Sequence, residues 1–156
     1  MKGADKLIQS AGEDELLRIV NTYSRMLLHI ASSRLRNASD AEDAVQDVFL
    51  TLVRKSTVFG SAEHEKAWLI RCVINRANDM RRKSEAKNVP LDEAFLPQED
   101  HESSLLEEVR SLPDKYACVI HLYYYEGYSI AEIAKILHLP SATVGTRLAR
   151  ARKLLK

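Results

Sequence analysis

The sequence predicts an all-α protein of two small helical domains joined by an acidic flexible linker, the C-terminal domain being a helix-turn-helix. Three observations predict this. Apolar residues recur at helical steps from about Glu13 to Lys83, and strand-like alternation is nearly absent. Between Asn88 and Val109 stand seven acids with no Lys or Arg, and Pro90 and Pro97 interrupt the same stretch. The last 29 residues, Tyr128 to Lys156, read as two short helices around a sharp break, the second acid-free and rich in arginine. The domains are expected at 1–87 and 104–156, with the linker at 88–103.

A first long helix is expected to open at the capping box of Ser10 and Glu13, to bury Leu16, Leu17, Val20, Tyr23, Leu27 and Ile30, and to end between Arg34 and Asn37. Ser39 and Glu42 form the next capping box. Behind it Ala41, Ala44, Val45, Val48, Phe49, Leu52 and Val53 fall on one stripe. Ser56 to Glu63, with Gly60 inside it, reads as a loop before a third helix from about His64 to Lys83. That helix carries Ala67, Trp68, Arg71, Ile74, Asn75 and Asn78 on neighbouring strips, with Trp68 read as core. It ends in Arg76, Arg81, Arg82 and Lys83, cations that also complement its dipole. Beyond the linker, Ser104 and Glu107 form a capping box ahead of Leu105, Leu106, Val109 and Leu112. Pro113 suits the first turn of the next helix and Gly127 its end. Tyr116, Val119, Ile120 and Tyr123 supply its inner face, so the Tyr123-Tyr124-Tyr125 run is read as packing rather than as a stacking platform.

The terminal pair opens on a further capping box, Ser129 with Glu132, and its first helix runs to about Leu137 with Ile130, Ile133, Ala134 and Leu137 facing inward. His138-Leu139-Pro140 breaks it. In the second helix, starting near Ser141, Val144, Leu148, Ala151 and Leu155 face inward. The other faces carry Thr143, Thr146, Arg147, Arg150, Arg152, Lys153 and Lys156. Short polar residues near the N-terminus suit base edges and the later cations suit phosphates, the layout of a helix that enters a major groove. A solvated basic face would explain the charge but not the capping box, the proline break and the absence of acids after Glu132.

Composition agrees only when read locally. The net charge of the 156 residues is +1, yet Arg71 to Lys87 and Arg147 to Lys156 are basic blocks on either side of the acidic stretch. Cys72 and Cys118 are read as buried thiols in a reducing cytosol, and the five histidines form no ligand set, so no metal and no cofactor are expected. No apolar run is long enough to span a bilayer, and the N-terminus lacks a signal peptide's apolar core, so a cytoplasmic protein without membrane insertion is expected. No nucleophile, base and orienter converge, so no catalytic residue is expected.

The chain resembles a bacterial RNA polymerase sigma factor of the short, extracytoplasmic-function (ECF) type. The resemblance rests on Asp40-Ala-Glu-Asp-Ala-Val-Gln-Asp-Val-Phe-Leu50, on Ala67-Trp-Leu-Ile-Arg71 followed by Asn75, Asp79 and Arg82, on Leu112-Pro113, on Gly127-Tyr-Ser-Ile-Ala-Glu-Ile-Ala134, and on Thr143-Val144 with Arg147-Leu148 and Arg150-Ala-Arg152. These occur in the family's order from roughly Tyr23 to Leu155. It implies that core RNA polymerase docks on Asp40, Asp43, Gln46, Asp47 and Leu50, a hydrophobic residue set among acids. It implies that the loop from Ser56 to Glu65 receives a flipped base, with Phe59, Arg71, Asn75, Asn78 and Arg82 contacting the downstream promoter element. The upstream element falls to Ser141, Thr143, Thr146, Arg147, Arg150 and Lys153. The acidic linker is either a tether that avoids DNA or an RNA mimic within the polymerase, and many relatives also have an anti-sigma partner.

Three positions depart from the family pattern. His138 stands where glycine is frequent, which implies either a less comfortable turn conformation at that residue or a different turn. Pro140 replaces a frequent capping serine, and Ser141 is expected to take over that cap. Gly145 lies inside the recognition helix where a cation is common. The rival functions are a free-standing helix-turn-helix regulator without polymerase binding and a helical protein-interaction adaptor; the order of motifs in the first domain argues against the former, and the basic recognition helix against the latter.

Overall fold

The computed structural model describes residues 2–55, 58–86 and 107–155, with side chains at 12–55, 58–85 and 107–155. Every regular element among these residues is helical, as the periodicity predicts. The linker at 88–103 and the capping residue Ser104 lie outside the described residues.

Three helices pack on one another in the N-terminal part: α1 (Lys2–Ser32), α2 (Ala38–Lys55) and α3 (Ala62–Ala86). Their shared core holds Leu27 and Ile30 of α1, Val48 of α2, and Leu69, Ile70 and Val73 of α3. α1 does not start at Ser10, which lies within a helix already running from Lys2. Its buried face is Ile19, Tyr23, Leu27 and Ile30, steps of four and three that leave Leu17 59 % exposed rather than inside. α2 begins one residue before Ser39, and its start is held by Asn37, whose Oδ1 accepts from the Ser39 N–H at 2.8 Å. The predicted stripe is buried at Ala41, Ala44, Val45, Val48 and Leu52, but Val53 turns outward. α3 starts two residues earlier than expected because Ser61 Oγ accepts from the His64 N–H at 3.1 Å. Trp68 is half-buried, its ring 5.6 Å from that of Phe59.

After a helical turn at 107–110, the C-terminal part consists of α4 (Asp114–Ile120), continued by a π-helical turn (His121–Tyr125), then α5 (Ile130–Leu137) and α6 (Ser141–Leu154). Pro113 caps α4 from outside rather than forming its first turn. The π turn inserts an extra residue into the helical register. It brings His121 and Leu122 inside and sends Tyr124 and Tyr125 outward, so only Tyr123 of the tyrosine run packs against the core. Gly127 then takes a left-handed φ of 75°, and the Tyr128 N–H closes on the Leu122 carbonyl at 3.0 Å.

The α5 capping box is present in full. Glu132 N–H donates to Ser129 Oγ, and Ser129 N–H donates to Glu132 Oε1, each at 3.1 Å. Its inner face includes Ile136 as well as Ile133 and Ala134, because the helix also lies against α3. His138 adopts φ 55° and ψ 47°, the strained turn its identity implied, and the Leu139 N–H reaches back to the Ala134 carbonyl at 3.0 Å. Ser141 does not cap α6. The cap position is Pro140, with no side-chain bond, and Ser141 is the first helical residue. Val144, Leu148 and Ala151 form the inner face.

Two arginines exchange places where these parts meet. Arg34, just past the end of α1, is 3 % exposed, and its guanidinium donates to Asn78 Oδ1 (3.0 Å), to the carbonyls of Val109 (3.2 Å), Arg110 (3.3 Å) and Leu112 (3.2 Å), and to Asp114 Oδ1 (2.5 Å). Arg110 reciprocates from the other side, donating to the Ser32 carbonyl at 3.0 and 2.8 Å. Each guanidinium thus satisfies carbonyls at the end of a helix on the opposite part, where a cation also opposes the helix dipole. Asp114 further binds Arg81 (2.6 Å) and Arg82 (3.1 Å) of α3.

Two outcomes follow from this packing. Burial alone would raise the Asp114 pKa, but hydrogen bonds from Arg34, Arg82 and Arg81 outweigh it and hold the carboxyl below its ordinary value. A depressed carboxyl contributes stability that is complete above the unfolded pKa, about 3.9, and is lost as pH falls through the folded one. In urea unfolding, the stability gap between wild type and Asp114→Asn is therefore constant from pH 7 to about 5 and narrows below about 4. A gap unchanged at the acid end would show that the contact is not ionic. The second outcome concerns Gly145 of α6, where an added Cβ would meet nothing within 4 Å. Gly145→Ala should stabilise the chain by up to about 1 kcal/mol, read as a higher urea midpoint.

Candidate functional site

The acidic side of α2 is presented as the sequence spacing requires. Asp43 and Gln46 are exposed, Asp40 and Asp47 half-buried, and Leu50 is 46 % exposed. Val53, read from the sequence as core, stands open at 53 % on the next turn and extends the apolar spot that Leu50 begins. Asp47 also has an intramolecular partner: Arg76 Nε of α3 donates to its Oδ2 at 2.7 Å, and Arg76 bonds Asp79 at 3.1 Å. An exposed aliphatic pair beside carboxylates suits a partner that offers both an apolar groove and cations.

Phe59 sits at the mouth of a cleft of about 450 Å³ between α1 and the start of α3. It packs edge-on to His64 at 5.4 Å and against Trp68 at 5.6 Å, while Arg18 reaches from α1 to Glu65 at 2.7 Å. The cleft wall therefore includes Glu65, the last residue of the segment assigned to a flipped base, and Arg18, which sequence reading missed because α1 and α3 are distant in the chain.

The other candidate DNA residues of α3 are occupied to different degrees. Asn75 is exposed. Asn78 is buried, its Oδ1 accepting from Arg34. Arg71 Nη1 donates to the Ile136 carbonyl of α5 at 2.8 Å, and Arg82 donates to Asp114 Oδ2 through Nε (3.3 Å) and Nη2 (3.1 Å).

On α6, Thr143, Thr146, Arg147 and Arg150 converge on one groove of about 340 Å³. Its opposite wall is Lys115 and Tyr116 of α4, with the Lys115 ammonium 5.0 Å from the Tyr116 ring centre. Only the packing of α4 on α6 places Lys115 there, and the sequence spacing gave no sign of it. Ser141 and Lys153 are exposed outside the groove. Arg152 turns to the tyrosine run, donating to Tyr124 Oη at 2.6 Å and lying 5.7 Å from the Tyr123 ring centre. Three cations around a groove bordered by threonine hydroxyls form a surface for a polyanion with polar edges.

Cys72 and Cys118, expected to be buried thiols, are both only partly buried. Burial raises the pKa of Cys72 against the pull of Lys55 and Arg71, and pushes that of Cys118 up to about 11 against that of Arg147 and Arg34. Among the described residues no cluster of His, Cys, Asp and Glu could hold a metal ion, and no helix is long and apolar enough to cross a membrane.

Comparison with known proteins places this geometry. The sigma-70 region 2 family matches residues 19–87, and the sigma-70 region 4 family matches residues 103–155. The chain is 31 % identical to the RNA polymerase sigma factor SigV of Bacillus subtilis, over 90 % of this chain and 89 % of that one. It is 27 % identical to the ECF RNA polymerase sigma factor SigW of the same organism, over 97 % and 92 %. It is 30 % identical to the ECF RNA polymerase sigma factor SigM of Mycobacterium tuberculosis, over 91 % and 74 %. The same fold occurs in the sigma factor RpoE of Bartonella quintana, solved in complex with the anti-sigma factor NepR, with a TM-score of 0.63 and 23 % identity over 93 % of this chain and 94 % of that one. The chain belongs to the ECF-type sigma factors of bacterial RNA polymerase, the non-enzymatic initiation factors that direct promoter recognition.

Proposed function

We propose a division of labour along the chain. A domain at 1–87 binds core polymerase and the downstream promoter element, a linker at 88–103 tethers it, and a helix-turn-helix domain at 104–156 reads the upstream element. The family matches at 19–87 and 103–155 support this division. Core polymerase docks on Asp40, Asp43, Gln46, Asp47 and Leu50, with Val53 widening the apolar contact. Phe59, Arg71, Asn75, Asn78 and Arg82 engage the strand that opens, and the cleft behind Phe59 receives an extruded base. Ser141, Thr143, Thr146, Arg147, Arg150 and Lys153 bind the upstream element, with Lys115 on a flanking phosphate. The chain acts in the cytoplasm, breaks no bond and needs no cofactor.

The observation that carries this reading is the convergence of Thr143, Thr146, Arg147 and Arg150 with Lys115 on one groove. Hydroxyls and a guanidinium can address base edges there while the flanking cations hold phosphates.

Reconstitution of the purified chain with core polymerase, followed by promoter-selective transcription on genomic fragments, tests the function directly. A chain that neither joins the core enzyme nor directs initiation defeats it. Leu50→Asp should lose core binding while retaining affinity for upstream-element DNA; unchanged core binding removes the α2 face from the interface. Arg147→Ala weakens upstream-element binding by about 1–3 kcal/mol and relaxes specificity at one position, whereas Lys115→Ala weakens all sequences alike and lowers the salt slope by about 1. An unchanged salt slope for Lys115→Ala removes that residue from the DNA contact.

A further inference from the structure

Glu65 carries a carboxylate that its surroundings only half satisfy. It lies in the first turn of α3, 6 % exposed, on the wall of the cleft that Phe59 fronts. Its Oε2 accepts from Arg18 Nη2 at 2.7 Å, and Arg18 is in turn paired with Glu15 on the same wall. The other oxygen, Oε1, is buried with no hydrogen-bond partner. The Tyr23 phenol stands beside the pair, its pKa raised by burial and by the carboxylate. A buried acceptor left unpaired is costly, more so on an ionised group, and a donor arriving from outside the chain removes that cost.

The cleft around this oxygen fits a flat ring. Its volume is about 450 Å³, Ile19, Val58 and Ala62 give it apolar walls, and Phe59 stands at its mouth edge-on to His64. Apolar walls take up a ring, and the few polar atoms among them decide which ring is held. Of those atoms, Arg18 is engaged by two carboxylates and Ser61 Oγ already accepts from the His64 N–H at 3.1 Å. The unpaired Glu65 Oε1 is therefore the acceptor on which a ligand's donor can close.

We infer that Glu65 selects the base that enters the cleft by accepting from an exocyclic amino group, so that cytosine and adenine are admitted and thymine and guanine are refused. This rests on the assignment of the cleft to an extruded base made above. Cytosine and adenine carry an amino donor where thymine and guanine carry a carbonyl oxygen, and a carbonyl set against a carboxylate leaves two acceptors with no proton between them. The terminal torsion of a glutamate is broad, so the carboxylate can turn Oε1 toward the ring while Oε2 stays with Arg18. Arg18 is then a positioning residue that holds the carboxylate at the cleft wall.

The test uses the chain reconstituted with core polymerase on a promoter that the holoenzyme opens. Each position of the downstream element on the non-template strand is varied through the four bases opposite abasic spacers, so that base identity acts without base pairing, and equilibrium binding is measured. At one position the wild type should bind cytosine or adenine at least about tenfold more tightly than thymine. Replacing the preferred base by its analogue without the amino group, pyrimidin-2-one for cytosine or purine for adenine, should cost a similar factor. Glu65→Gln, whose amide can turn either oxygen or NH2 to the ring, should lose the preference and bind thymine more tightly than the wild type does, a gain that a merely structural role would not produce. Glu65→Asp, which keeps the charge but draws it back from the cleft, should lose the preference too, and it decides if Glu65→Gln does not fold. An amino preference that survives in the folded variants overturns the inference. Phe59→Ala tests the cleft itself: abasic substitution at the position it serves should weaken the wild type but not Phe59→Ala. Such a position that is indifferent to the amino group overturns the inference alone, and the absence of any such position overturns the cleft assignment and the inference with it.

Discussion

A guanidinium withdrawn from water must find acceptors for every N–H, and Arg34 does so only because two stretches of chain far apart in sequence meet around it. Asn78 comes from α3, the carbonyls of Val109, Arg110 and Leu112 from the segment before α4, and Asp114 from the first turn of α4. Desolvating an ion costs several kcal/mol, and good geometry with filled hydrogen bonds is what offsets it. That requirement fixes how the C-terminal helices sit. With Asp114 bound to Arg34, its remaining oxygen is directed to Arg82, its first oxygen is shared with Arg81, and α5 is brought against α3. The covered face of α3 follows from the placement of one charge.

Much of the fold was legible because its causes are local. Amphipathic spacing located α2, α5 and α6, the Ser129–Glu132 box marked the start of α5, and of the two outcomes open at His138 the structure shows the uncomfortable turn, in left-handed form. The misplaced starts show that a capping pattern does not rank the positions at which a helix can begin. Asn37 holds α2 instead of Ser39, Pro140 precedes α6 instead of Ser141, and Ser10 lies inside a longer α1. The π turn at His121–Tyr125 was invisible because periodicity assumes one register, and it exposed two of the three tyrosines. Contacts between distant segments were beyond sequence reading, which is why Lys115 went unassigned and the bond of Asn78 to Arg34 was unforeseen, while Val53 was placed on the buried stripe that it leaves.

The same physics joins fold to function. A net charge of +1 gives no overall attraction to nucleic acid, so binding depends on where cations are exposed. The α6 groove keeps its arginines facing outward, whereas Arg81 and Arg82 at the end of α3 are both drawn to Asp114. In the proposed division of labour the open basic groove of α6 serves upstream DNA, and the exposed Leu50 and Val53 of α2 serve polymerase.

The docking of the C-terminal helices through the buried Arg34 is the central claim. Spin labels on exposed residues of α2 and α6, outside the proposed contacts, allow the distance between them to be measured by electron double resonance in the wild-type chain and in Arg34→Met. A single short distance in the wild type, replaced by a longer and broader distribution in Arg34→Met, is the predicted result. The same short distance in both chains would contradict the account.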